Sequence, residues 1–130
     1  MAYDKNLLVK YRIKRADETL EEALLSLTNN KLNLTANRIY YAAFYIVSAL
    51  AISNDFSTSK HSQLLGWFNK NIVKKGNVPR EFGKIYLNAY ELRQEGDYED
   101  LIEFDTKVLE EKLKEITKFV SVVKELIPSN

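Results

Sequence analysis

The 130-residue chain contains no cysteine and only one histidine, His61. Without cysteine it forms no disulfide bond and no thiolate metal site, and a single histidine excludes a His–His zinc motif within one chain. Two prolines and four glycines are too few for the many tight turns of an all-β fold. We therefore expect neither an all-β protein nor one that holds a metal ion or an organic cofactor.

The chain also lacks an excess of one charge, since 19 basic and 18 acidic residues give a net charge of +1. Nucleic-acid-binding domains usually carry a basic excess, so such binding would need a local patch. We interpret the densest basic cluster as a solvated surface, although such clusters also bind RNA phosphates; it consists of Lys70, Lys74, Lys75 and Arg80. The N-terminus lacks the apolar core of a signal peptide, which predicts a cytoplasmic protein without a membrane segment.

Residues 39–52 form the longest apolar segment, in which 13 of 14 residues are apolar or aromatic. Such a segment has no polar face, so it predicts a helix covered on all sides. It is too short to cross a bilayer, which requires about 20 apolar residues. We interpret it as the central helix of the domain, with Asn33 or Thr35 as the N-cap.

Apolar periodicity and capping residues predict four further helices around this segment. Apolar residues between 109 and 127 alternate spacings of four and three, which is typical of a bundle seam. The predicted helices span about 4–27, 60–73, 79–95 and 105–127, with Gly96 ending helix 4. The economical arrangement is one all-α domain over residues 1–130, an up-down four-helix bundle of helices 1, 2, 4 and 5 with a shorter transverse helix 3.

This arrangement predicts where the charged residues of helices 2 and 4 lie. If helix 3 crosses one end of the bundle, the start of helix 2 and the end of helix 4 meet at the same end. Arg38 and Arg93 would then lie close together, followed by Asp97 and Tyr98. His61 would lie near the opposite end and could join Arg93 only through a second copy of the chain.

The two arginines and the aromatic residues of helix 2 also have a structural interpretation. Arg38 could reach solvent or pair with a carboxylate, and Arg93 could form an ion pair with Glu95 or Asp97. The aromatic residues of helix 2 are ordinary core packing, although the hydroxyl group of Tyr41 could still point toward Arg93 or a ligand.

Three segments together resemble the HEPN family, the higher eukaryotes and prokaryotes nucleotide-binding domain. They are Asn-Arg-Ile-Tyr-Tyr-Ala-Ala-Phe at 37–44, Ser-Lys-His-Ser at 59–62 and Leu-Arg-Gln-Glu-Gly-Asp-Tyr at 92–98. Their order and spacing are similar to those of its small, stand-alone bacterial and archaeal branch of uncharacterised proteins, and the resemblance covers nearly the whole chain.

The resemblance implies an all-α bundle that forms a homodimer and binds a nucleotide or RNA. Similar members are often encoded beside a minimal nucleotidyltransferase, with which they form toxin–antitoxin pairs, so a partner of that kind is expected. Carried onto this sequence, the resemblance gives the ligand-binding candidates Arg38, Tyr41, His61, Arg93, Asp97 and Tyr98.

Many members of the wider family are metal-independent ribonucleases with an arginine, four to six residues, and then a histidine. No histidine follows Arg93 in that window, and Tyr98 stands at the five-residue offset. A histidine exchanges protons near neutral pH, whereas an unperturbed tyrosine does not. We therefore expect a non-enzymatic or weakly active binding module. The alternatives are a ribonuclease in which Arg93 acts with Asp97 or Tyr98, and a structural interaction protein without a ligand.

Overall fold

A computed structural model describes residues 4–98 and 103–128, without the side chains of residues 96–98. Within these ranges the chain forms five α-helices and no strand, which confirms the predicted all-α class. The helices are α1 (Lys5–Thr28), α2 (Leu32–Ser53), α3 (His61–Phe68), α4 (Glu81–Tyr98) and α5 (Thr106–Glu125), and a π-helical turn (Asn69–Val73) continues α3.

Aspartate side chains cap two of the helices. At the start of α5 the carboxylate of Asp105 accepts a hydrogen bond of 2.8 Å from the backbone N–H of Lys107. The N-cap predicted for α2 is wrong, because the helix already begins at Leu32. Thr35 is instead a buried residue inside α2, and its hydroxyl lies 2.8 Å from the hydroxyl of Ser26 on α1.

The predicted end of helix 4 is also wrong, since α4 continues through Gly96 to Tyr98. A glycine inside a helix costs only about 1 kcal/mol relative to alanine, so it does not end a helix whose neighbours continue to favour it. Gly76, in the turn after the π-helical residues, takes the left-handed conformation with φ of 80°.

Polar contacts between helix ends fix the antiparallel order of the bundle. The ammonium group of Lys5 lies 2.9 Å from the carboxylate of Asp55 at one end of the α1–α2 pair, while Ser26 meets Thr35 at the other. Lys124 on α5 lies 2.7 Å from Asp17 on α1. The two α1–α2 contacts place these helices antiparallel. Helix α5 is antiparallel to α1 as well, because Lys10 and Lys124 line one surface cavity and Leu27 and Glu110 line another.

The central position predicted for the apolar segment is confirmed. Helix α2 contacts each of the other four α-helices, and its residues from Ile46 to Ile52 are all buried. No helix in the described part of the chain is both long and apolar enough to span a membrane.

Residues 54–60 return the chain along α2 before α3 begins. Ser57, Thr58 and Ser59 line a surface cavity together with Phe44, in the middle of α2. Helix α3 therefore starts beside the middle of α2, and Trp67 near its end stacks on Phe56 with ring centroids 5.7 Å apart. The transverse orientation expected for helix 3 stays a prediction.

Candidate functional site

Two arginines from distant parts of the chain meet at the ring of Tyr41. The central carbon of the Arg38 guanidinium lies 5.3 Å from the ring centroid, and that of Arg93 lies 5.4 Å from it. Both distances are within the range of cation–π contacts. The structure therefore brings together the two residues that were expected at a common end of the bundle.

Arg38 is held in place by its neighbours on α1 and α2. Its guanidinium donates hydrogen bonds to the side-chain oxygen of Asn37 and forms a 3.0 Å ion pair with Glu22. The carboxylate pairing considered from the sequence is therefore present. These bonds use three of the five guanidinium N–H groups, and no side chain or backbone group of a described residue is hydrogen-bonded to the other two.

Arg93 projects from the end of α4 onto α2. Besides its contact with Tyr41, its guanidinium carbon lies 5.6 Å from the ring centroid of the fully buried Tyr40. Its side chain is half-buried. A planar guanidinium held against aromatic rings keeps its orientation, which suits bidentate binding of phosphate or carboxylate.

His61 lies in the same cluster of aromatic rings. Its ring stacks on Phe44 with centroids 4.7 Å apart and on Tyr40 with centroids 5.4 Å apart. Its Nδ1 atom is hydrogen-bonded to the hydroxyl group of Tyr40. The prediction that His61 lies near the opposite end of the bundle is wrong, because residues 54–60 fold back along α2 and start α3 beside Phe44.

Burial sets the protonation states of Tyr40 and His61. Desolvation raises the pKa of Tyr40, despite the opposing effect of the Arg93 charge, so its hydroxyl stays protonated. Desolvation and, secondarily, the Arg93 charge lower the pKa of His61 below 6.5. At neutral pH His61 is therefore neutral, and its tautomer decides whether Nδ1 accepts a hydrogen bond from the Tyr40 hydroxyl or donates one to the Tyr40 oxygen.

Asp97 and Tyr98, the remaining predicted site residues, belong to the last turn of α4. Their side chains lie outside the described residues, so their expected roles stay predictions.

Sequence reasoning missed several residues that complete the cluster. Tyr40 and Tyr90 pack edge to face with centroids 5.6 Å apart. Tyr45 lies one turn beyond Tyr41 on α2. The guanidinium carbons of Arg12 and Arg15, both on α1, lie 5.8 Å and 5.1 Å from its ring centroid. Tyr41 and Tyr45 are four residues apart and so share a helix face, which was the only sequence signal for this second group.

The described residues contain no group of three or more histidine, cysteine, aspartate or glutamate side chains placed to hold a metal ion. The polar chemistry of the cluster is instead that of guanidinium, phenol and imidazole groups. Such groups bind anions and transfer protons, and they also stack on planar ligands.

Comparison with known proteins gives a family match over most of the chain. The HEPN domain model matches residues 9–126. A Thermotoga maritima protein named UPF0332 protein is 40% identical over 124 residues, which cover 95% of this chain and 94% of that protein.

Two proteins of Methanocaldococcus jannaschii, both named provisionally as toxins, are also similar. MJ0142 is 29% identical over 117 residues, which cover 90% of this chain and 80% of that protein. MJ0605 is 29% identical over 86 residues, which cover 66% of this chain and 64% of that protein. The family match spans the helices that carry Arg38, His61 and Arg93. The chain belongs to the HEPN domain family.

Proposed function

We propose that this protein binds the phosphate group of a nucleotide or RNA between Arg38 and Arg93, on the ring of Tyr41. The observation that carries this proposal is the convergence of two guanidinium groups, from α2 and α4, within 5.4 Å of one tyrosine ring centroid. Two guanidinium groups at one ring can both donate hydrogen bonds to the oxygens of a single phosphate, and such charge-assisted bonds are among the strongest in proteins.

The surrounding aromatic rings support a nucleotide rather than a bare anion. Tyr41 is half-buried, and it packs against Phe44 with centroids 5.8 Å apart. Half-buried rings beside guanidinium groups provide planar surfaces on which a base can stack.

In the cell, the protein would act as the toxin-like member of a two-protein system with a nucleotidyltransferase, and as a homodimer. This role is supported by the HEPN family match and by the provisional toxin names of two relatives. The partner and the dimer are expectations from the family resemblance.

Arg93→Ala is expected to weaken binding of ATP, GTP and a short single-stranded RNA by roughly tenfold or more. A hydrogen bond to a charged group is worth about 1.5–3 kcal/mol, and each 1.4 kcal/mol is a factor of ten in affinity. Arg93→Lys should lose part of this affinity, because lysine keeps the charge but not the planar fork. Isothermal titration calorimetry on the full chain measures each affinity.

Arg80→Ala provides the matched control, since it removes an arginine just before α4. Arg93 lies 12 residues beyond Glu81, the first residue of α4, or roughly 18 Å along the helix. Equal affinities for Arg93→Ala, Arg80→Ala and the unmodified chain would contradict the proposal. Absence of binding by the unmodified chain would favour a structural interaction protein instead.

The position of His61 favours a second candidate function, a metal-independent ribonuclease. His61 and Arg93 both contact the rings of Tyr40 and Tyr41 within one chain. In the tautomer that donates Nδ1–H to the Tyr40 oxygen, the unprotonated Nε2 of His61 could remove the proton from a ribose 2′-hydroxyl, whose oxygen attacks the adjacent phosphorus. The bond from phosphorus to the 5′-oxygen breaks and a 2′,3′-cyclic phosphate remains. The 5′-oxygen takes up a proton from water, and His61 releases to water the proton that it removed. Arg93 would stabilise the charge on the phosphoryl oxygens.

Incubation of the purified protein with RNA in EDTA tests this second function. We expect RNA but not DNA to be cleaved, with loss of cleavage by about a hundredfold or more in His61→Gln, since general base catalysis contributes 10²–10⁴-fold. If the protein binds RNA in an Arg93-dependent manner but does not cleave it, the protein is a binding module and not a ribonuclease. Cleavage that is unchanged in His61→Gln would exclude His61 as the base.

A further inference from the structure

We infer that the binding site continues from Tyr41 along α2 to Tyr45 and ends in the cavity beside Arg12, and that its ligand is a single strand of RNA. This inference rests on the proposed function and extends it. It adds a second phosphate-binding position, which a mononucleotide bound at Tyr41 would not occupy.

The arginines of the chain are concentrated along the face of α2 that runs from Tyr41 to Tyr45. Four of its five arginines, contributed by three helices, lie over two tyrosine rings that are one turn apart on α2. The ring centroids of Tyr41 and Tyr45 are 5.9 Å apart. The net charge of +1 shows that the chain is not basic as a whole, so this concentration is local.

The arginines differ in how they are paired. Arg15 forms a 3.2 Å ion pair with Glu18, and Arg38 is paired with Glu22. Arg12 forms no ion pair with any described residue, and its Nε atom is buried without a hydrogen-bond partner there. A buried guanidinium atom without a partner is unfavourable, and an anionic ligand would supply the missing acceptor.

Arg12 also lines a surface cavity of about 360 Å³ that is rich in hydroxyl groups. The cavity lies between α1, α2 and the segment before α3, and its polar lining comprises Arg12, Ser48, Ser57, Thr58 and Ser59. The Thr58 hydroxyl is already bonded to Gln63 and to the backbone N–H of Lys60. No hydrogen bond from a described residue occupies the hydroxyls of the three serines.

This combination favours a strand over a free nucleotide. Two groups of guanidiniums, separated by one helical turn, match successive phosphates of one backbone, and the tyrosines between them provide stacking surfaces for bases. Serine hydroxyls both donate and accept hydrogen bonds, as does the ribose 2′-hydroxyl that distinguishes RNA from DNA.

The test measures fluorescence anisotropy of a labelled single-stranded RNA, and of DNA of the same sequence, on the full chain. Arg12→Ala should lower RNA affinity by about tenfold and reduce the slope of log affinity against log salt by about 0.7, the value for one lost phosphate contact on a single strand. Arg12→Gln, which keeps the length and polarity of the side chain, should have the same effect. DNA should bind more weakly than RNA, and Ser57→Ala combined with Ser59→Ala should reduce that difference.

The outcomes separate this inference from the proposed function. If Arg93→Ala weakens RNA binding and Arg12→Gln does not, the site ends at Tyr41 and only the extension is overturned. If neither substitution has an effect, both proposals fail. Equal affinity for RNA and DNA would overturn the assignment to RNA. If Arg80→Ala lowers the affinity and Arg12→Gln does not, the strand binds at the basic cluster of Lys70, Lys74, Lys75 and Arg80. That result would overturn the inference as well.

Discussion

Phe119→Ala should lower the free energy of unfolding by about 3–5 kcal/mol, the usual cost of deleting a buried phenylalanine side chain. Phe119 is fully buried on α5, and its ring centroid lies 5.5 Å from those of Phe68 and Phe82 and 5.9 Å from that of Tyr86. It therefore joins α3, α4 and α5 at one point, and its removal leaves a cavity that all three helices line. Since domains of this kind are stable by about 5–15 kcal/mol, this is a large fraction of the total.

Urea unfolding followed by circular dichroism measures this loss. Val108→Ala is the matched control, because Val108 is on the same helix but 46% exposed. It should change the free energy of unfolding by no more than about 0.5 kcal/mol. A Phe119→Ala protein as stable as the Val108→Ala protein would show that the three helices do not meet in a well-packed core.

The bundle could be predicted from the sequence because its signals are local and periodic. In α5, Leu109, Leu113, Ile116, Val120 and Val123 were predicted to lie on one face, and all five are buried. The start of this helix near residue 105 was equally predictable, because the signals at a helix end depend only on residues a few positions apart.

The position of His61 could not be predicted in the same way. It depends on the path of residues 54–60, which contain no periodic pattern and could run along the bundle or across its end. The structure shows that they return along α2, so the distance between His61 and Arg93 is set by a loop rather than by helix periodicity.

The second group of arginines depends on the register between helices. On α1, Arg12 and Arg15 look like charges on a solvent-exposed face, because apolar residues at 9, 13 and 16 define the buried side. Only the antiparallel pairing of α1 with α2 places them over Tyr45. Sequence periodicity specifies which face of each helix is buried, but it does not specify the axial position of one helix relative to its neighbour.

Tyr40→Ala should affect the fold and the site together, because Tyr40 belongs to both. Its ring contacts Tyr86 in the core, at 6.4 Å between centroids, and it also contacts His61 and the guanidinium group of Arg93. Loss of this fully buried ring should cost about 3–5 kcal/mol of unfolding free energy. It also removes a surface that positions Arg93, so RNA and nucleotide binding should be lost even where the protein remains folded.

Tyr40→Phe separates these two contributions. The ring and its packing remain, but Nδ1 of His61 loses its hydrogen-bond partner, which should cost about 1–3 kcal/mol. Since phenylalanine still supports Arg93, binding should stay within a few fold of that of the unmodified chain. Urea unfolding and calorimetric titration on both variants measure the two effects. Equal loss of binding in Tyr40→Phe and Tyr40→Ala would show that the hydroxyl, acting through His61, positions the ligand. Unchanged binding in a folded Tyr40→Ala protein would place the ligand away from Arg93.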